Sequence, residues 1–233
     1  MKGKLGMVKR ELRELGSRST FKKIFHYTLS SAFSRIWRPW NKTFTCFGIN
    51  FEYVVTPRSF DNERSVEIPV VQSFIKHTTG KSVLEIGNVL FNYQQPPAEV
   101  VDKFEKRPWV INQDIVDFSP GKQYDLIVSI STIEHVGLDE PVKESNKCVR
   151  ALKKIKNLLA PDGQAIIAIP IGYNIDLDNF VTGNQEFFDK LAFLKRTSYS
   201  NKWVETEMED AISRKYSERF PYANAEAFLI LRR

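Results

Sequence analysis

Histidine and cysteine are the first groups to examine for chemistry, and here their spacing mainly excludes functions. His26, His77 and His135 stand far apart, and none has another histidine at metal-ligand spacing. Cys46 and Cys148 are isolated, with no C-x-x-C pair, so they build neither a disulfide framework nor a zinc ribbon. No metal is expected, and a reducing compartment fits the cysteine usage. What remains is a series of polar and small residues that each follow a short apolar run. They are Glu85-Ile86-Gly87-Asn88, Asp102, Asp114-Ile115, Ser129 to His135, and Pro170 to Asn174. His135 supplies the one imidazole of that series, the side-chain type suited to a general base. Asp139 and Glu140 read as solvated loop charge.

Such residues meet only if the runs before them are strands of one sheet. Ser82–Ile86, Glu99–Val101, Trp109–Ile111, Tyr124–Ile130, Gln164–Ile169 and Ala225–Leu231 all read as strands. Val149–Leu159 reads as a helix closed by Pro161-Asp162-Gly163. Near-continuous apolar strands alternating with helices predict an α/β domain whose parallel sheet is covered on both faces. Open parallel sheets bind ligands beyond the carboxyl ends of their strands, where strand order reverses. The residues after each strand would therefore share one site.

The same residues resemble a known family. Val83-Leu84-Glu85-Ile86-Gly87 is similar to the first motif of class I S-adenosylmethionine-dependent methyltransferases (type 11-like). Tyr124-Asp125-Leu126-Ile127-Val128-Ser129 with Ile133-Glu134-His135-Val136 resembles their fourth-strand motif. Leu158-Leu159-Ala160-Pro161-Asp162-Gly163 resembles the turn before their fifth strand. The resemblance covers roughly residues 80–175. It implies a Rossmann-like, doubly wound, mostly parallel seven-stranded sheet with an N-terminal helical and β appendage, and S-adenosyl-L-methionine as cofactor.

By that resemblance Gly87 lets backbone approach the methionine part of the cofactor, and Glu85 faces its ammonium group. Asp102, 17 residues after Glu85, would accept from both ribose hydroxyls. Asp114 would accept from the adenine amine, with Asp117 a competing choice, and the Ile115 amide would lie beside the ring. Asn88, Ser129 and Ser131 complete the expected cofactor shell, and His135 is the candidate base. Two departures stand out. Asn88-Val89 replaces the motif's second glycine, a change an asparagine tolerates through its access to the left-handed region. Gln94-Gln95-Pro96-Pro97 requires the first crossover helix to be short or distorted.

The acceptor is sought in the later loops. Where nucleic-acid amino-methyltransferases carry an Asn/Asp-Pro-Pro-Tyr-like motif, this chain has Ser129-Ile130-Ser131-Thr132, which disfavours that chemistry. Tyr173 and Asn174, with Arg196 and Trp203 farther on, offer hydroxyl, amide, cation and aromatic groups suited to a polyol. The expectation is O-methylation of a sugar, glycan or other small hydroxyl-bearing substrate. A non-catalytic Rossmann-like binding module and a methyltransferase of lipid or quinone substrates remain open. A nicotinamide dehydrogenase is disfavoured, because Gly87-Asn88-Val89-Leu90-Phe91-Asn92 lacks the later glycines of G-x-G-x-x-G.

Composition is that of an ordinary globular chain, 42% hydrophobic and 27% charged. Charge is unevenly spread. Residues 1–42 hold 11 Lys/Arg against 2 Asp/Glu, and residues 43–233 hold 23 against 26. The body is slightly acidic, which disfavours a nucleic-acid partner. Residues 1–20 are expected to form a flexible basic arm. Residues 21–40 carry a helical stripe of Phe21, Ile24, Phe25, Leu29, Phe33, Ile36, Trp37 and Trp40. That stripe either docks on the domain or lies on an anionic membrane surface. Residues 21–79 would thus be an amphipathic helix and cap segment, with 43–57 a strand and Arg64–Lys76 leading into a helix, and residues 80–233 the methyltransferase-like domain. No run of about 18 apolar residues is present, and no secretory signal follows the charged start. The expected location is cytoplasmic, with peripheral membrane contact open through residues 21–40.

Overall fold

The computed structural model describes residues 42–76, 78, 80–93 and 99–233. The basic arm, the 21–40 stripe, His26, His77 and Gln94–Pro97 lie outside the described residues.

The apolar runs are continuous because the strands they form are buried on both faces. In β6 (Tyr124–Ile130), Tyr124 and Ile127 belong to one core and Leu126, Val128 and Ile130 to the other. In β7 (Leu159–Pro170), Ala165, Ile167 and Ile169 alternate with Ile166 and Ala168 in the same way. The first core is closed by α2 (Lys147–Leu158) and α3 (Ile175–Gly183). Residues Cys148, Ala151, Leu152, Ile155 and Leu158 recur on α2 at the steps of three and four that make one helical face. The second core is closed by α1 (Arg64–Ile75) and by the hairpin of β1 (Thr43–Cys46) and β2 (Ile49–Glu52).

The remaining strands are β3 (Val83–Ile86), β4 (Glu99–Val101), β5 (Val110–Ile111), β8 (Lys190–Arg196), β9 (Trp203–Thr206) and β10 (Ala225–Arg232). A short α4 spans Met208–Ile212. The main sheet runs β5-β4-β3-β6-β7-β10-β8-β9. The first five strands are parallel. β10 inserts antiparallel between β7 and β8, and β9 pairs antiparallel with β8. The architecture is the Rossmann-like, doubly wound, mostly parallel sheet that the resemblance implies, with eight strands in place of seven.

Three local expectations are corrected. Of residues 43–57, read as one strand, 43–52 form a hairpin, because Phe47 (φ +53°) and Gly48 (φ +71°) both take the left-handed conformation that a tight two-residue turn requires. Pro161-Asp162-Gly163 does not precede the fifth parallel strand but lies inside its irregular start. Leu159 pairs with Tyr124 and Gln164 with Leu126, so the intervening residues leave the register. β8 and β9 are additions to the strands that the apolar runs predict. Where the first crossover helix would stand, the described residues form one 3-10 turn, Leu90–Asn92. Among the described residues no helix is long and apolar enough to cross a membrane.

Candidate functional site

From β3 the sheet grows outward through β4 to β5, and from β6 it grows the other way to β7. The strand order therefore reverses between β3 and β6, and a crevice opens at their carboxyl ends. It is lined by Gly87, Asp102, Phe104, Ile115, Thr132 and His135 among others. These residues come from the loops after four different strands, so the sheet assembles in space what the sequence scatters.

Gly87 turns at φ +84°, a region that penalises side chains. Its N–H donates to Val101 O at 2.9 Å, joining the ends of β3 and β4. A Cβ here would sit 2.3 Å from Thr132 Oγ1, so the glycine lets the loop after β6 close against the loop after β3. Glu85 is buried beneath this turn. Its Oε1 accepts from Val89 N and Leu90 N, each at 2.8 Å, which organises the loop that lacks a second glycine. Among the described residues its Oε2 has no partner, nor does the buried Asn88 Oδ1. Burial pushes the Glu85 carboxyl up to about 7 against the pull of the two N–H groups.

Asp102 follows β4 directly. Its Oδ1 accepts from Phe104 N at 2.8 Å and Glu105 N at 2.7 Å, which fixes the carboxylate at the cleft wall. Among the described residues nothing hydrogen-bonds to Oδ2. Asp114 departs from its expected role. Oδ2 accepts from Lys103 Nζ (2.8 Å) and Lys147 Nζ (2.6 Å), and Oδ1 accepts from Val116 N (3.1 Å). Burial alone would raise this carboxyl, but the two ammonium groups outweigh it and hold it at about 2. Both oxygens are committed to the protein, so an adenine amine would have to displace a lysine. Glu140 closes the ring by binding Lys103 and Lys147 and accepting from Gly137 N. It is structural rather than a solvated charge. Ile115 is buried in the cleft wall, and the exposed Phe104 ring lies at its edge.

His135 sits in a 3-10 turn after β6. Its Nδ1 is 2.5 Å from Asp139 Oδ2, which also accepts from Tyr173 Oη at 2.6 Å. A carboxylate on Nδ1 holds the proton there and leaves Nε2 as the basic nitrogen. Asp139 thus has a defined task too, as does Tyr173, whose ring packs edge-on to the imidazole with centroids 4.8 Å apart. Sequence reasoning missed Thr132, Phe104, Lys103 and Lys147. The first three were readable from position alone, since each lies within three residues of a strand end. Lys147 gave no signal, because only the fold carries it from α2 to Asp114.

Five expected residues do not face the cleft. Ser129 Oγ donates to Ile86 O at 3.3 Å between buried strands. Ser131 Oγ binds Glu67 of α1. Asn174 caps α3, accepting from Asp176 N and Leu177 N while its Nδ2 donates to Glu134 O at 2.7 Å. Arg196 is buried, its guanidinium spent on the Ser198, Tyr199 and Pro221 carbonyls and the Phe220 ring. Trp203 is a core side chain whose Nε1 donates to Asn201 Oδ1.

No protein-family model matches the chain, and no curated protein does. Solved structures do. A SAM-dependent methyltransferase from Archaeoglobus fulgidus is 15% identical with a TM-score of 0.44, over 70% of this chain and 91% of that one. The N-methyltransferase NodS from Bradyrhizobium japonicum is 12% identical with a TM-score of 0.42, over 70% and 85%. The sugar N-methyltransferase KedS8 from Streptoalloteichus is 11% identical with a TM-score of 0.39, over 72% and 87%. Likenesses at such scores decide nothing about chemistry, which the chain's own residues must carry.

Proposed function

We propose that this chain is a class I S-adenosylmethionine-dependent methyltransferase acting on a small hydroxyl-bearing acceptor, such as a sugar or glycan. The observation that carries this reading is the crevice at the strand-order reversal, with Asp102 Oδ2 free on one wall and the oriented His135 on the other. The residues fit the cofactor at several points. Asp102 Oδ2 is available to ribose hydroxyls. Glu85 Oε2 and Asn88 Oδ1 are buried acceptors without partners among the described residues, and an ammonium group would satisfy such atoms. Ile115 and Phe104 supply apolar surface for a base. Asp114 does not fit, so the adenine would be held by shape and backbone rather than by that carboxylate.

When bound, the cofactor supplies a methyl group already activated on a sulfonium. The protein then chiefly aligns the reactants. Asp139 keeps His135 in the tautomer whose Nε2 can take the acceptor's hydroxyl proton. Calorimetric titration with S-adenosylhomocysteine tests the reading before any acceptor is known. Micromolar binding is expected. Asp102→Ala should weaken it roughly tenfold to a hundredfold, the value of about 1.5–3 kcal/mol for hydrogen bonds to a charged group. No binding by the folded wild-type chain would refute the assignment.

A further inference from the structure

We propose that Glu134 and Glu226, backed by Glu63 and Glu67, form a subsite for the ammonium group of the methyl acceptor, which is then an amino alcohol or amino sugar. This rests on the methyltransferase reading for the identity of the acceptor, and it names a chemical class that the cleft alone does not.

Four glutamates from three elements gather behind the cleft wall, where Glu134 adjoins His135. Glu63 and Glu67 stand at the start of α1, Glu134 in the turn after β6, and Glu226 in β10 opposite Pro170 at the carboxyl end of β7. All four are buried. Two have partners. Glu67 binds Arg64 at 2.6 Å and Ser131, and Glu63 accepts from Ala223 N at 3.2 Å. The other two have no donor. Among the described residues nothing donates to either oxygen of Glu134 or of Glu226, and Glu226 has the Glu67 carboxyl beside it. Among the described residues the basic group within 4 Å of Glu134 is His135 Nε2, 3.5 Å from Oε1, and the buried Arg64 guanidinium is a single cation shared by Glu63, Glu67 and Glu134. Glu226 meets Glu67 carboxyl to carboxyl, an arrangement that favours a shared proton or an added cation.

Burying an unpaired carboxylate is costly, and apolar residues would have packed these positions more stably. An incoming cation removes the cost. The groups around it suit an amine. Tyr173 and Tyr216 cross edge-to-face with centroids 4.9 Å apart, and Tyr173 continues to His135, so aromatic faces run from the base to the carboxylates. Among the described residues no set of three ligating side chains is arranged for a metal ion. Glu134 is the neighbour of His135, so an acceptor anchored by its ammonium group can present a hydroxyl a few atoms away to Nε2. The carboxylates are buried as they stand, and the acceptor reaches them by displacing what covers them.

The test uses the full chain and two probes of equal size, ethanolamine and ethylene glycol, titrated by calorimetry or ligand-observed NMR with and without S-adenosylhomocysteine. Ethanolamine is expected to bind at least tenfold more tightly than ethylene glycol. Glu134→Gln and Glu226→Gln should each erase most of that preference while melting at or above the wild-type temperature, because each removes an unpaired buried charge at nearly constant volume. Equal binding of the two probes overturns the proposal, and so does a preference that survives both substitutions. Should a variant fail to fold, the wild-type preference decides alone. S-adenosylhomocysteine binding without amine preference sinks the subsite and leaves the methyltransferase reading standing. The reverse result sinks that reading and keeps a cation site.

Discussion

Glu85 is poised at neutrality by two opposed effects, burial that favours its proton and two backbone N–H groups that oppose it. An ammonium group set against the free Oε2 would tip it to the ionised form. Binding of S-adenosylhomocysteine at pH 7 should then release about half a proton, since a group with a pKa near 7 is half protonated there. The release is read from the dependence of the binding enthalpy on buffer ionisation, and Glu85→Gln should abolish it. An unchanged release in that variant would put the cation elsewhere. Gly87→Ala should destabilise by about 1–2 kcal/mol for the left-handed backbone, with a further loss from the contact with Thr132. Adding Thr132→Ala should recover the second part as a rise in melting temperature, and no recovery would show that backbone strain is the whole cost. His135→Ala should lower turnover about a hundredfold with cofactor affinity intact, whereas a merely structural histidine would change stability and not turnover per folded molecule. The positions of Gly87, Asp102, Ile115 and His135 were legible because each follows an apolar run, and a parallel sheet gathers such residues. The fates of Asn174, Arg196 and Trp203 were not. Residue type shows that a group can bind a ligand, but only the fold shows that Asn174 already caps a helix and that Arg196 already serves three carbonyls.

At the scale of elements, the first core-covering helix carries a proline whose consequence reaches outside it. Pro69 lies in the middle of α1 and has no N–H to give to Ser65, four residues back. The Ser65 carbonyl accepts instead from Val54 N at 3.0 Å, so the defect in the helix fastens the segment after β2 to it. Pro69→Ala restores a competing donor. The Val54 amide should then exchange with solvent at least tenfold faster, while amides near the middle of α2 keep their protection. Unchanged exchange at Val54 would mean that the strap does not depend on the proline. The strands of the parallel half were readable because double burial writes itself as uninterrupted apolar residues. β6 begins and ends where its apolar run does. β8 and β9 were hidden because they lie near the sheet's edge and mix charge with apolar residues. In Lys190–Arg196 the lysines alternate poorly with Leu191, Ala192, Phe193 and Leu194. The hairpin reads as one strand in the sequence because the alternation of Phe44, Cys46, Ile49 and Phe51 conceals a turn whose first residue is phenylalanine, not a usual left-handed residue.

Across the whole molecule, the buried acids set how stability follows pH. Burial raises the carboxyls of Glu85, to about 7, and of Asp178, to about 6, and it raises Glu63, Glu134 and Glu226 as well. A carboxyl whose folded pKa lies above its unfolded one binds more protons in the native state between the two values. Stability must therefore fall as pH climbs through that interval and level off above it. A tenfold difference in proton affinity between the folded and unfolded chain is worth about 1.4 kcal/mol, so Glu85 and Asp178 together remove roughly 6 kcal/mol between about pH 4 and pH 8 at the upper bound. Asp114 acts in the opposite sense. Lys103 and Lys147 overcome its burial and hold it at about 2, so the stability it lends is present above its ordinary range and is lost as pH falls toward 2. The two effects leave a maximum on the acid side of neutrality. A melting temperature near pH 5 that exceeds the value at pH 8 by about 5–15 °C is expected from the usual 2–4 °C per kcal/mol in a domain of this size. The cations proposed for these carboxylates should work against the slope. S-adenosylhomocysteine should raise the melting temperature more at pH 8 than at pH 5, because it binds the ionised Glu85, and ethanolamine should do the same through Glu134 and Glu226. A melting temperature highest at pH 8 without ligand would show that these carboxyls are solvated or paired in solution, and the orphaned oxygens of Glu85, Glu134 and Glu226 would then no longer argue for a bound cation.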